Sequence, residues 1–199
     1  RGRAEVLAAI TELRQICCHP ALCLPDYSGG SAKLEVLLEV LPGALESGRR
    51  VLLFSQFTSM LKILRRHLEA EGIACLYLDG ETPAHKRLGL ASSFNEGEGQ
   101  VFLISLKAGG TGLNLTGADM VIHYDPWWNP TAEDQATDRA HRIGQTRKVE
   151  VVRLITHASI EEQVARLSKK KRALFDQLIT AGEEMPNRLS EEDIRGLFA

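Results

Sequence analysis

The chain has 199 residues, 44% of them hydrophobic and 25% charged, enough to bury the core of one domain with a helical appendage. With 24 Lys and Arg against 26 Asp and Glu the formal net charge is −2, which excludes attraction to nucleic acid by the surface as a whole, so any phosphate contact must come from a local cluster. No apolar run approaches the ~18–20 residues of a membrane span and no apolar signal core follows the N-terminus, so a cytosolic protein without membrane contact is expected.

The first residue is not Met and an amphipathic pattern starts at once, so the chain is expected to be a piece of a longer protein. Val6, Ile10, Leu13 and Cys17 step by four, three and four, which predicts a helix over residues 4–17 that ends at His19 and Pro20. The loop 21–30, with Pro25, Gly29 and Gly30, is the best linker in the chain. Ser31 then caps a second helix carrying Leu34, Leu37, Leu38 and Leu41, expected to break near Pro42 and Gly43. Residues 1–48 thus read as a helical annex. Cys17, Cys18 and Cys23 cluster around His19, but structural zinc wants paired ligands with a second pair downstream, and only Cys75 remains. Buried thiols are expected in preference to zinc or a disulfide.

From Arg49 the texture changes to short apolar runs alternating with helical patterns. Strands are expected at 51–54, 73–78, 101–104, 120–124 and 149–155, with helices at 58–71 and 83–94 between them. Strands apolar on both faces with helical crossovers imply an α/β fold with a mainly parallel sheet covered on both sides. The unit spans residues 49–158. A C-terminal extension, 159–199, holds a long helix to Gly182 with Ile160, Val164, Leu167, Leu174 and Leu178 on a stripe, a break at Met185–Asn187 and a short helix at 191–198. Its run Lys169 to Arg172 reads as a solvated face before a nucleic-acid contact. No internal repeat or low-complexity tract is present.

In an open parallel sheet, ligands collect beyond the carboxyl ends of the strands. Four loops leave those ends, at 55–58, 79–82, 105–114 and 125–130. In the third, Gly109, Gly110 and Gly112 would let backbone amides approach an anion, and Asn114 offers an amide to a sugar or base; a merely tight turn fits as well. If residues 131–143 are helical, Arg139 and Arg142 share one face with no carboxylate tied to each by sequence. Two such guanidiniums suit a phosphate, which makes them arginine-finger candidates, while a solvated helix face reads from the same spacing. No G-x-x-x-x-G-K-[ST] occurs, and Asp125 is followed by Pro126 where a catalytic Glu would be needed. The pattern is arginines without a phosphate cradle.

The motifs at this point resemble, in order and at compatible spacing, the second RecA-like lobe of the Swi/Snf family of DNA-translocating ATPases in helicase superfamily two. The matching stretches are 51–61, Leu78 to Gly80 with Arg87 and Phe94–Asn95, 104–122 (ISLKAGGTGLNLTGADMVI) and 125–149 (DPWWNPTAEDQATDRAHRIGQTRKV), with 13–20 as the entry; together they span roughly residues 10–175. The resemblance implies a RecA-like three-layer fold. It implies that Arg139 and Arg142, with Gln135, reach ATP and magnesium held mainly by a first lobe that supplies the phosphate loop, and that Gly110, Gly112 and Asn114 lie on the nucleotide side. It implies that Ser55, Gln56, Arg87, Ser105, Lys107, Trp127 and Trp128 form part of a sequence-independent grip on double-stranded DNA, although a Trp pair is buried core about as often. The implied activity is translocation on duplex DNA to remodel or strip bound protein, a nucleosome or RNA polymerase among the candidates, in the nucleus of a eukaryote or the cytoplasm or nucleoid of a microbe. The isolated lobe would be inactive and would bind no metal itself. Two rivals stand: an ATP-independent docking module using the annex and Lys169 to Arg172, and a dinucleotide-binding enzyme using residues 109–114, disfavoured by the lack of G-x-G-x-x-G after the first strand.

Overall fold

A computed structural model describes residues 2–110, 112–179 and 188–198. Five strands form one sheet: β1 (Val51–Ser55), β2 (Cys75–Leu78), β3 (Val101–Ser105), β4 (Met120–His123) and β5 (Glu150–Arg153). All pair in parallel in the order β2-β3-β1-β4-β5. The helices are α1 (Gly2–Cys18), α2 (Ala32–Glu46), α3 (Thr58–Ala70), α4 (Ala84–Asn95), α5 (Pro130–Thr137), α6 (Ile160–Ile179) and α7 (Glu191–Gly196).

Strand residues alternate between two cores, as a period of two requires. Val51, Leu53, Val101, Leu103, Met120 and Ile122 pack beneath α2 and α3, with Leu37, Leu41, Leu61 and Leu64 fully buried. Leu52, Phe54, Phe102, Ile104 and Val121 point to the other face, against Phe94 of α4 and Ala136 of α5. This double cover is why β1 and β3 are apolar at consecutive positions. It also makes three layers, as a RecA-like lobe requires. Each fully buried Leu or Phe contributes about 1.5–3 kcal/mol, so the two faces together dominate stability.

Helix α2 runs through Pro42 instead of breaking there. A mid-helix proline costs about 3 kcal/mol in lost hydrogen bond and steric clash. The buried stripe of Leu34, Leu37 and Leu41, with Ser31 capping the Leu34 amide, outweighs it. The helix stops only at Ser47, where Gly48 takes φ +78°.

A third cluster joins the two ends of the chain: Ile10 of α1, Trp128, Val164 of α6 and Leu197 pack together. Ion pairs reinforce it. Lys33 of α2 and Glu161 of α6 are paired and almost fully buried, and Glu161 also accepts the Thr156 amide at 2.8 Å. The run Lys169 to Arg172 is exposed as expected at three positions, and only Lys171 is turned inward. Lys171 pairs with Asp193 at 2.8 Å and lies over the Trp128 ring, Lys170 faces Glu192, and Arg172 pairs with Asp134. Ser190 and Asp193 form a reciprocal capping box on α7. The expected break at Met185–Asn187 and the last turn of the long helix to Gly182 lie outside the described residues. The four cysteines are free thiols. Burial pushes the Cys18 thiol well up, which leaves it an inert apolar filler. Among the described residues no helix is long and apolar enough to cross a membrane.

Candidate functional site

The carboxyl ends of β1, β3 and β4 lie side by side, and β1 connects toward the β2 edge while its neighbours β3 and β4 connect toward the opposite edge. The loops leaving these strands therefore share one rim. The loop after β3 winds as a 3-10 turn, Leu106–Gly110, and carries exposed Lys107. Gly110 closes that turn. Gly112 sits at φ +52°, a left-handed conformation that favours glycine, and Asn114 is exposed beyond it. Asn95 of α4 fastens the following turn, donating to the Asn114 carbonyl and accepting the Gly117 amide, each at 2.9 Å. A Cβ on Gly117 would meet Asn95 Cα at 2.9 Å, so only glycine allows this approach.

The helix expected over residues 131–143 ends at Thr137, capped at Asp138. Beyond it the chain leaves helical register for tertiary contacts: the Leu115 amide donates to the Arg139 carbonyl at 2.9 Å, which seats the segment against the glycine-rich loop. Gln145 fastens the far end, its Nε2 within hydrogen-bond distance of the carbonyls of Thr116, Ala118 and Ala140. Arg139 and Arg142 do not share a helix face. Arg139 is buried, 4% exposed, and its Nε and Nη1 have no hydrogen-bond partner among the described residues. Arg142 is exposed and donates from Nη1 to the Gly112 carbonyl at 2.6 Å. Burial, then repulsion from Arg142, lowers the Arg139 pKa from 12.5 to about 10, which still leaves it charged at neutral pH. Gln135 is exposed on α5, one helical turn before this pair.

A buried cation with orphaned donors is costly, and proteins rarely leave one unless something completes it. An anion between Arg139 and Arg142 would satisfy the free nitrogens and relieve the repulsion. That is the chemistry of a phosphate site, with the Gly112 carbonyl holding the second fork in place.

Residues 32–144 match the helicase conserved C-terminal domain. A solved SWI2/SNF2 ATPase core of Sulfolobus solfataricus in complex with dsDNA superposes with a TM-score of 0.74 at 37% identity, over 96% of this chain and 41% of that one. The chain belongs to the Swi/Snf family, as its helicase C-terminal domain. The DNA excision repair protein CSB of Oryza sativa subsp. japonica is 43% identical over 99% of this domain and 17% of its own length. The helicase swr1 of Schizosaccharomyces pombe is 40% identical over 98% of this domain and 15% of its own length. The domain spans about a fifth of the length of other curated relatives it matches.

On the opposite side of the rim the helicase domain arranges its polar residues less freely than spacing implies. Ser55 is 1% exposed and donates to Asp125, and the Gln56 amide donates to both Asp125 oxygens at 3.3 Å. Ser105 is likewise buried. Arg87 spends its fork on three carbonyls, Thr82 at 2.7 Å, Gly80 at 3.0 Å and Ala108 at 3.1 Å, so it braces two loops. Trp128 is 8% exposed inside the third core cluster, and Trp127 is half-buried with its amide donating to Glu133 at 2.9 Å. Asp125, which follows β4 as a metal ligand might, is consumed by Arg14, Ser55 and Gln56; burial pushes its carboxyl up against their pull. Among the described residues no group of three or more His, Cys, Asp or Glu could hold a metal.

Sequence reading missed Arg14, Glu133 and Gln145 as organising residues. All three stood inside stretches that carry the family resemblance. Their organising roles carried no local signal, because their partners are set by the fold.

Proposed function

We propose that this domain is the second motor lobe of a longer, ATP-dependent double-stranded DNA translocase that remodels protein–DNA complexes. The observation that carries the reading is the pair Arg139 and Arg142: among the described residues one guanidinium is buried with two unpartnered nitrogens, the other is exposed beside it, and neither is paired with a carboxylate. With ATP and magnesium held mainly by a first lobe, Arg139 and Arg142 would receive the triphosphate as the cleft closes. They would stabilise charge developing on the transferred phosphoryl group. Gln135 would face the same phosphates from α5, and Gly110, Gly112 and Asn114 would line the nucleotide side through backbone and amide.

On the DNA side, exposed Lys107 would meet a backbone phosphate, with Arg87 bracing its loop at the Ala108 carbonyl, while buried Ser55 and Ser105 would lie behind the grip. Gln56 sits at the base of the same loop. Trp127 borders the grip and Trp128 is its packed support. Such contacts read phosphates and not bases, so the grip would be sequence-independent. Alternate grips of two lobes on one strand would advance the motor along the duplex, displacing proteins bound ahead of it. A docking module that recruits partners through Lys169 to Arg172 would have to compete with Asp193 and Asp134, which already pair with Lys171 and Arg172.

The test is a triplex-displacement assay with the full-length protein, in which a third strand is stripped from duplex DNA. ATP-dependent displacement without separation of the duplex strands is expected; ATP-independent DNA or protein binding with no displacement would favour the docking reading.

A further inference from the structure

We infer that Arg14, on α1 and outside the matched domain at 32–144, is the positioning residue that holds two DNA-facing loops in register. The inference rests on the translocase reading above. Its guanidinium is 5% exposed and sits between two aromatic rings, 5.2 Å from the centroid of Phe57 and 4.9 Å from that of Trp127. These rings belong to different loops, one leaving β1 and the other leaving β4. Nη2 donates to the Pro126 carbonyl at 3.1 Å and lies 3.5 Å from Asp125 Oδ2. Asp125 in turn accepts the Ser55 hydroxyl and the Gln56 amide, and Ser55 Oγ accepts the Phe57 amide at 3.1 Å.

One side chain therefore ties both strand exits together by charge, one hydrogen bond from Nη2 and stacking. The tie continues past Trp127, whose amide reaches Glu133, which pairs with Arg153 of β5 at 2.9 Å. Glu133 lies on α5, two residues before Gln135 and on the helix that leads into Arg139. Arg14 thus links the loops of the proposed DNA grip to the helix of the proposed nucleotide site. Lysine cannot replace it: an ammonium keeps the charge opposite Asp125 but lacks the planar face that fills the gap between Phe57 and Trp127.

The same geometry separates a positioning role from simple stabilisation. A residue that only stabilises would change the amount of folded protein and scale every activity alike. A residue that sets loop register would change the response to DNA, because small misplacements of contact groups cost far more than their share of folding energy.

The experiment measures ATP hydrolysis by the full-length protein against duplex DNA concentration, for wild type, Arg14→Lys and Phe57→Leu. In Arg14→Lys the DNA concentration for half-maximal stimulation should rise about tenfold or more, with KM for ATP within about twofold of wild type. Phe57→Leu, which removes one face of the sandwich and leaves all charges, should shift the same quantity in the same direction by less. An unchanged DNA response in Arg14→Lys, or an equal fractional loss at every DNA concentration, would overturn the positioning role while leaving the translocase reading intact. Absence of DNA stimulation in the wild type would overturn both.

Discussion

Arg139 sits in an unfavourable arrangement that the proposed phosphate site would explain. Its lowered pKa, from 12.5 to about 10, means that the fold disfavours the charge it keeps at pH 7. At about 1.4 kcal/mol per unit this is a burden of about 3 kcal/mol on the free protein. Replacing the side chain with an apolar one of similar length removes the orphaned donors and keeps the volume. Arg139→Met should therefore raise the unfolding free energy by about 2–3 kcal/mol while abolishing turnover, read by chemical denaturation beside an ATPase assay. A stability loss would mean that the guanidinium is satisfied in solution by groups of its own chain. The arginines were legible as residue types: two unpaired guanidiniums point to a phosphate wherever the backbone takes them. Their geometry was not. Spacing put them on one helix face, whereas Gln145 and the Leu115 to Arg139 backbone bond pull the segment out of helical register after Thr137.

At the scale of elements, the strands were legible because burial on both faces writes itself into consecutive apolar residues, and β1 and β3 fall where those runs predict. Helix ends were less so: Pro42 sits inside α2 because the packed leucine stripe, a tertiary term, overrides a local signal. The joint between β4 and α5 was invisible in the sequence. There His123 stacks on Phe54 and its Nε2 lies 3.1 Å from Thr137 Oγ1, where burial lowers its pKa from 6.5 to about 4. The fold thus favours the neutral ring. The stabilisation is full above pH 6.5 and is lost as pH falls from there toward 4, about 3 kcal/mol in all. Unfolding free energies at pH 7 and pH 4.5 should differ more in the wild type than in His123→Gln; equal differences would show that the ring is protonated in the fold.

For the whole molecule, the three clusters describe a division of labour. Two cores grip the sheet and fix which loops share its carboxyl rim, and the third binds α1, the Trp128 loop, α6 and α7 into one support behind that rim. The order β2-β3-β1-β4-β5 could not be read from the chain, since strand order depends on crossovers and not on composition. Family membership could be, because ordered motifs carry chemistry. Arg14 falls between these cases: a charged residue on a helix in sequence, whose role exists only once residues 57 and 125–127 come within reach. The central claim is that this lobe completes a phosphate site held elsewhere. It is tested by DNA-stimulated ATP hydrolysis of the full-length protein carrying Arg139→Ala or Arg142→Ala. The predicted result is a loss of about 10³-fold or more in turnover with duplex DNA affinity retained; wild-type turnover in both variants would contradict it.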